Sequence, residues 1–217
     1  MRRAPGDYPM WDDEPKPFRY RRSSRRRWWF RIRLLLALAL LAYLAYREWS
    51  RPVAPRNGPD GRPALVRVEV DPRTVWVDDG DTIRIKWPNA PAERVRILGI
   101  DAPEVANDRY PGHKEQEYGE ESRAFARRTI LGAGRLELLR APHADRYGRT
   151  LGYLFVDGRN FSVMAVENHM AESTVDRFRD EGFPAEAAKV RAAARRAGPP
   201  PFESPKVFRD RMAGKAR

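Results

Sequence analysis

The 217-residue sequence contains no cysteine and only three histidines. The lack of cysteine excludes disulfide bonds, thiolate metal sites and a cysteine nucleophile. The three histidines, His113, His143 and His169, lie far apart, and no two of them have the spacing of a zinc site. If the protein binds a metal ion, we therefore expect the ligands to be oxygen atoms.

Acidic residues are too few to balance the basic ones, and the formal net charge is +12. Residues 1–33 hold 11 Lys/Arg against 4 Asp/Glu, and residues 199–217 hold 5 against 2. The excess charge therefore lies almost entirely in the two tails. Binding of the central region to nucleic acid has to be argued from specific residues and not from the net charge.

The main apolar run is also short for a membrane span. Its uncharged part, residues 34–46, has 13 residues, whereas a spanning helix needs about 20. Extended to residues 28–49, the run includes three arginines and one glutamate. Arginines near helix ends can extend toward the interface, and the flanking Trp and Tyr residues are typical of interfacial belts.

We interpret residues 28–49 as an uncleaved transmembrane anchor, and two alternatives stay open. These are a cleaved export signal and a buried helix of the main domain. Because the arginines precede the run, the positive-inside rule places the N-terminus in the cytoplasm and the folded domain outside. If the run is cleaved, the domain is secreted.

Composition divides the rest of the chain into four parts. Residues 1–27 are rich in Pro, Arg and Asp and are expected to be a disordered basic tail in the cytoplasm. Residues 50–64 are rich in Pro and Gly, which is typical of a linker. Residues 65–198 form the predicted folded domain, and residues 199–217 are predicted to be a flexible basic C-terminal tail.

Within the folded domain, alternation and composition predict five or so strands and three helices. The predicted strands are residues 74–77, 82–87, 94–100, 135–139 and 150–156, with a further candidate at 65–70. The predicted helices are residues 118–134, 161–170 and 184–198. This order is not a β-α-β alternation. It indicates an α+β fold with a small closed or nearly closed β-barrel and helices packed outside.

Three acidic residues stand at predicted strand ends. Asp81 ends the turn before the strand 82–87, and Asp101 and Glu104 follow the strand 94–100. If these strands are neighbours, the carboxylates converge, and they then repel each other unless a cation or an arginine lies between them. A hard divalent ion such as Ca²⁺ accepts such ligands. Ordinary turn chemistry is the alternative explanation for each acid taken singly.

Two arginines accompany the acids. Arg96 lies inside an apolar strand, where an unpaired guanidinium would be unfavourable, and Arg149 directly precedes the last strand. The planar guanidinium suits bidentate hydrogen bonding to phosphate. A structural salt bridge for Arg96 and a solvated turn position for Arg149 are the simpler alternatives.

The order of these motifs is more specific than any one of them. The sequence has "DGDT" (79–82), then R-x4-D-x-P-E (96–104), then YG-x2-S-x-AF (118–125), then D-x-YGR (145–149). Over residues 75–198 this resembles the staphylococcal-nuclease-like (thermonuclease) family. The resemblance implies an OB-like five-stranded β-barrel with three helices, and Ca²⁺-dependent hydrolysis of phosphodiester bonds in DNA or RNA.

Carried over by position, the resemblance implies a role for each matching residue. Asp81 and Asp101 would bind the metal, together with the backbone carbonyl of Ala102, which stands in place of a threonine. Glu104 would position or deprotonate the attacking water. Arg96 and Arg149 would bind the phosphate, and Arg146 and Tyr147 would contact the nucleotide.

Two other functions stay open at this point. The domain could be a catalytically silent nucleic-acid-binding or scaffold module, or the chain could be a membrane-tethered interaction protein with basic tails. The complete set of acids and arginines favours the enzyme. DNA or RNA and a membrane contacted through residues 28–49 are the expected partners, and no obligate protein partner is inferred.

Overall fold

The computed structural model describes residues 24–49, 56–58, 61–106 and 114–215. The predicted tail over 1–27 lies almost wholly outside this range, and so does much of the predicted linker over 50–64. A two-residue hairpin within the latter pairs Arg56–Asn57 (β1) with Pro63–Ala64 (β2).

The first element is a helix, Ser24–Trp49 (α1). In the described part of the chain no helix is both long enough and apolar enough to cross a membrane. The predicted transmembrane anchor over 28–49 is therefore not supported. The physical reason is that Arg31, Arg33 and Arg47 interrupt the apolar stretch, which leaves a 13-residue uncharged run.

The folded domain is α+β, as predicted. Its strands are Arg67–Val70 (β3), Val75–Val77 (β4), Thr82–Ile85 (β5), Glu93–Ile97 (β6), Ile100–Asp101 (β7), Leu136–Ala144 (β8), Thr150–Val156 (β9), Arg159–Asn160 (β10) and Glu172–Ser173 (β11). Its helices are Gly119–Leu131 (α2), Phe161–Glu167 (α3), Val175–Phe178 (α4), Pro184–Ala197 (α5) and Pro205–Met212 (α6). The three predicted helices correspond to α2, α3 and α5.

The main sheet has the strand order β3-β8-β9-β6-β5-β4. All of its neighbours are antiparallel except β6 and β9, which run parallel. The path ends at β3 and β4, so the sheet is a curled half-barrel where the sequence predicted a closed or nearly closed barrel. This architecture is consistent with the OB-like fold that the sequence implied.

The concave side of the sheet holds the core. Alternate residues of the strands point inward, and Ile83, Ile85, Val95 and Ile97 are almost completely buried. Helices α2, α3 and α5 contribute further apolar side chains to this core. Burial of this many aliphatic and aromatic groups is the main stabilising contribution to the domain.

The C-terminal region contains a helix, α6, whereas the sequence predicted a flexible tail over 199–217. Pro205 stands at the start of the helix, where its missing N–H leaves no hydrogen bond unmade. Pro205 and Phe208 are buried, so the helix packs by one face. This packing brings the C-terminal region to the candidate site.

Candidate functional site

The β4–β5 turn carries Asp81 to the site, and a glycine makes this possible. Asp79 accepts a hydrogen bond from the backbone N–H of Asp81 at 3.0 Å, which fixes the turn. A Cβ atom on Gly80 would lie 2.0 Å from Ser122 Oγ and 2.6 Å from Ala102 Cβ. The turn therefore packs directly against α2 and the segment after β7, and only glycine fits there.

Asp81, Arg96 and Asp101 form one cluster at the end of β6. Arg96 Nη1 donates to Asp81 Oδ1, and Arg96 Nη2 donates to Asp101 Oδ1 at 2.8 Å. The other oxygen of Asp81 accepts the backbone N–H of Ala102 at 2.7 Å. Both aspartates are buried. The structure thus brings together four of the residues that the sequence singled out, namely Asp81, Arg96, Asp101 and Ala102.

Glu104 joins this cluster through a residue that the sequence analysis missed. Arg209, on α6, donates to Asp101 Oδ2 at 2.7 Å and to Glu104 Oε1 at 2.5 Å. Arg177 Nη1, on α4, lies 3.7 Å from Asp101 Oδ2. No local pattern marks either arginine as a partner of the cluster, because each is more than 70 residues from Asp101. The only signal was chemical, since buried carboxylates need cationic partners.

Two arginines, Arg96 and Arg209, keep Asp101 charged. Burial alone would raise the pKa of this carboxyl, but the hydrogen bond from Arg209 and the charges of Arg96 and Arg209 hold its pKa below the ordinary value. Burial likewise opposes charge on Arg209, but its bonds to Asp101 and Glu104 outweigh this and raise the pKa of its guanidinium. Asp101 and Arg209 are therefore both charged at neutral pH.

Arg146, Tyr147 and Arg149 lie together on the turn between β8 and β9. Arg149 Nε donates to Asp145 Oδ2 at 2.7 Å, and Asp145 Oδ1 accepts the backbone N–H groups of Tyr147 and Arg149, each at 2.9 Å. The guanidinium carbons of Arg146 and Arg149 lie 4.8 Å and 5.5 Å from the centre of the Tyr147 ring. This turn leads into β9, where Leu151 pairs with Arg96 of β6.

The oxygen atoms of this cluster are suitable ligands for a hard divalent cation. The carboxylates of Asp81, Asp101 and Glu104 and the backbone carbonyl of Ala102 are oxygen ligands of the kind that Ca²⁺ binds. Among the described residues, however, no three His, Cys, Asp or Glu side chains are arranged to hold a metal ion together. The guanidinium groups of Arg96 and Arg209 lie on these carboxylates instead.

Comparison with known proteins agrees with this geometry. Residues 94–198 match the family model described as "Staphylococcal nuclease homologue". Over this region the chain is similar to that family. The matched residues include Arg96, Asp101, Ala102, Glu104 and the whole turn that carries Tyr147, whereas Asp81 and Arg209 lie outside the match.

Similar proteins are named as nucleases. A thermonuclease of Staphylococcus intermedius is 36% identical over 98 residues, which is 45% of this chain and 55% of that protein. The endonuclease YncB of Bacillus subtilis is 32% identical over 109 residues, which is 49% of this chain and 47% of that protein. The chain thus spans about half the length of these relatives.

Proposed function

We propose that this protein is a calcium-dependent nuclease that hydrolyses phosphodiester bonds of DNA or RNA. The observation that carries the proposal is the convergence of Asp81, Arg96, Asp101 and Glu104 at the end of β6. A cluster of acids next to paired arginines suits a reaction in which an anionic phosphate gains further negative charge. The nuclease names of the similar proteins support the same reaction class.

In this proposal Asp81 and Asp101 hold the cation, with the carbonyl of Ala102 as a further ligand. A bound divalent cation supplies positive charge that neutralises and orients the phosphate. The backbone N–H of Ala102 already fixes Asp81, so this carboxylate is positioned before anything binds. Because any residue provides a carbonyl, alanine at position 102 loses only the hydroxyl of the threonine it replaces.

Glu104 has the role of orienting or deprotonating the attacking water. Its carboxylate is partly exposed and contacts Arg209, so it can reach solvent, which a buried structural carboxylate cannot do. Arg96 and Arg149 bind the phosphate and stabilise the charge that develops in the transition state. Arg146 and Tyr147 contact the nucleotide, with the exposed Tyr147 ring available for stacking.

One observation favours a second function, a nucleic-acid-binding module without catalysis. Arg209 and Arg96 already neutralise Asp101, so the acids have partners without any metal. In such a module Arg96 and Arg209 would stabilise the fold, and nucleic acid would bind through the exposed aromatic and basic residues.

The deciding experiment is to incubate the purified full chain with single-stranded DNA and RNA, with Ca²⁺ or with a chelator. Cleavage that requires Ca²⁺ and is lost in Glu104→Gln supports the nuclease. Binding without cleavage under every divalent-ion condition supports the module. Cleavage that Glu104→Gln retains at the wild-type rate would show that the assigned site is not the active site.

A further inference from the structure

The convex face of the sheet beside the candidate site carries an exposed tryptophan among basic residues. Trp76 on β4 is 51% exposed and pairs with Arg84 on β5. Arg84 in turn pairs with Arg94 on β6. Paired residues of neighbouring strands lie on the same face of a sheet, so these three side chains form one row across three strands.

This row adjoins the acidic cluster. Arg94 and Arg96 are two residues apart on β6 and therefore point to the same face, about 7 Å apart along the strand. Asp78 lies between the basic groups: its Oδ1 is 2.7 Å from Arg84 Nη2, and its Oδ2 is 3.9 Å from Arg94 Nε. Asp78 thus orients both arginines, while their side chains stay about half exposed.

A cleft of about 490 Å³ opens at the tryptophan end of the row. It is lined by Trp76, Arg84, Lys86, Trp87, Pro88, Ala90 and Ala92. The lining residues bear two positive charges and two indole rings and include no carboxylate. Flat aromatic faces with cationic side chains are the features by which proteins bind unpaired nucleotides.

A second aromatic group lies across the same sheet. Tyr147, 67% exposed, precedes β9, and the order β9-β6-β5-β4 places three strand spacings between it and Trp76. Across the sheet alone, three spacings amount to about 14 Å, and Tyr147 stands three residues before the first residue of β9. Strand β6, which carries Arg94 and Arg96, lies between β9 and β4 in this order, so an anionic chain crossing from β9 to β4 would pass over β6.

We propose that Trp76, Arg84, Lys86 and Arg94 form a binding surface for single-stranded nucleic acid that continues from the phosphodiesterase site. Trp76 stacks on a base outside the scissile dinucleotide, and the basic side chains contact the backbone phosphates. A duplex hides the faces of its bases, so the surface selects unpaired strands. This inference rests on the proposed function and adds to it a binding surface outside the site itself.

The test compares binding of short and long oligonucleotides by fluorescence anisotropy in a chelator, so that no cleavage occurs. Trp76→Leu keeps an apolar side chain but removes the stacking face, whereas Trp76→Phe keeps a ring. We expect Trp76→Leu to bind a 12-nucleotide thymidine strand about tenfold more weakly, with less than a twofold change for a dinucleotide. Trp76→Phe should stay near the wild type, as should Leu131→Ala, an exposed apolar control on α2.

Arg84→Gln provides an electrostatic check. Loss of one phosphate contact should lower the slope of log affinity against log salt by about 0.7 for a single strand. Equal binding of the 12-nucleotide strand by Trp76→Leu and the wild type would overturn the inference, as would equal affinity of the wild type for the matching duplex. Cleavage is measured separately with Ca²⁺, so a wild type that binds through Trp76 but never cleaves would refute only the proposed nuclease.

The positively charged guanidinium of Arg209 lies where the proposed function requires a divalent metal ion. Its guanidinium contacts Asp101 and Glu104 from α6, a helix outside the matched family region. A guanidinium and a divalent cation on the same two carboxylates would repel each other. We infer that Arg209 competes with the metal ion, so that α6 docks on the site without the ion and is displaced when the ion binds.

Calcium affinity, measured by calorimetry without substrate, tests this competition. Arg209→Gln should bind Ca²⁺ about tenfold more tightly than the wild type at low salt, which corresponds to about 1.4 kcal/mol. Arg211→Gln, on the same helix but paired with Glu203, is the matched control and should not change the affinity. Ca²⁺ should also accelerate amide hydrogen exchange over residues 205–212 in the wild type.

Equal Ca²⁺ affinity in Arg209→Gln and the wild type would overturn the competition, as would unchanged exchange over α6. A lower kcat in Arg209→Gln at unchanged Ca²⁺ affinity would instead assign Arg209 to stabilisation of the transition state. If the folded wild type binds no divalent ion at all, both the competition and the metal-dependent nuclease are refuted. If it binds Ca²⁺ competitively with Arg209 but does not cleave, only the nuclease is refuted.

Discussion

Strand β6 carries one carboxylate–arginine cluster at each end, and the two clusters are built differently. At its start, Glu93 accepts hydrogen bonds from Arg140 Nε at 2.7 Å, Arg140 Nη2 at 2.9 Å, Thr150 Oγ1 at 2.9 Å and Trp87 Nε1 at 2.8 Å. The side chains of Arg140 and Glu93 are only 3% and 1% exposed. At its other end, Arg96 and Arg209 hold Asp81 and Asp101 with 21% and 41% of their own side chains exposed.

This difference separates a structural ion pair from an exchangeable one. Around Glu93, all the donors come from strands of the sheet or from the β5–β6 connection, and water has almost no access. Around Asp101, one donor comes from a short peripheral helix, and solvent reaches the arginines. We therefore expect changes at Glu93 to affect folding and changes at the other end to affect binding and catalysis.

The largest effect should follow from breaking the buried pair. Arg140→Met leaves the buried Glu93 carboxylate without its bidentate partner, with Arg62 Nε 3.8 Å away as the nearest remaining charge. We expect the free energy of unfolding to fall by about 3–5 kcal/mol, measured by urea denaturation. The double change Glu93→Gln with Arg140→Met should recover part of this loss, because it removes the buried, unpaired carboxylate charge. A single variant as stable as the wild type would show that the pair is not structural.

At the other end of β6 the expected loss is in catalysis. Glu104→Gln or Arg149→Ala should lower kcat by at least about 10²-fold, the scale for removing an electrostatic stabiliser of the transition state. Steady-state kinetics with single-stranded DNA and Ca²⁺ measures this. Because both side chains are partly exposed, unfolding by urea should change little. Near-wild-type turnover in either variant, or a stability loss like that of Arg140→Met, would contradict the distinction between the two ends.

The sheet could be predicted from sequence because its signal is local. Alternation and β-branched composition located β5 and β9, and β9 matches its predicted bounds, 150–156. The half-barrel differs from the predicted barrel because closure depends on whether β3 and β4 pair, and these two strands carry no local mark of their partners. The assembly of Asp81 with Asp101 was predictable only from the order of the motifs.

Arg209 shows the limit of such reasoning. Its contacts with Asp101 and Glu104 join residues 108 and 105 positions apart, and its surroundings are rich in proline and charge. Composition of that kind is typical of a flexible tail, yet the burial of Pro205 and Phe208 anchors the helix. The burial of Pro205 and Phe208, the ion pairs of Arg209 and the hydrogen bond from Ser204 Oγ to Glu172 Oε2 at 2.6 Å hold α6 in place, and none of them leaves a periodic pattern.

A smaller effect is expected at the turn that supports the exchangeable cluster. In Gly80→Ala the new Cβ would clash with Ser122 and Ala102, so the turn must shift away from α2. We expect a loss of about 1–3 kcal/mol in unfolding free energy, together with weaker Ca²⁺ binding because Asp81 moves with the turn. Gly134→Ala is the control, since its nearest contact would be 3.3 Å from the added Cβ, at a side-chain oxygen. Unchanged stability and Ca²⁺ affinity in Gly80→Ala would show that the turn is not tightly packed.

The smallest expected difference between the two clusters is in how pH and salt change their contributions to the unfolding free energy. Burial opposes charge on Glu93, but the bonds from Arg140 hold its pKa below the usual value of 4.5, and the pKa of Asp101 is lowered as well. Each lowered pKa adds stability that is complete above the carboxyl's unfolded-state value and is lost as the pH falls through the folded-state value. Each carboxyl then contributes at most about 1.4 kcal/mol per pH unit.

Urea denaturation between pH 6 and pH 2 at low and high salt separates the two contributions. In the double variant Glu93→Gln with Arg140→Met, the unfolding free energy should decrease less on acidification than in the wild type. This difference should be the same at low and at high salt, because the pair is buried. In Asp101→Asn the unfolding free energy should also decrease less on acidification than in the wild type. Here the difference should be smaller at high salt, because Arg209 is open to solvent. If salt changes the differences of the two variants from the wild type equally, both clusters are equally screened. Exposure to solvent would then not distinguish the structural end of β6 from the functional end.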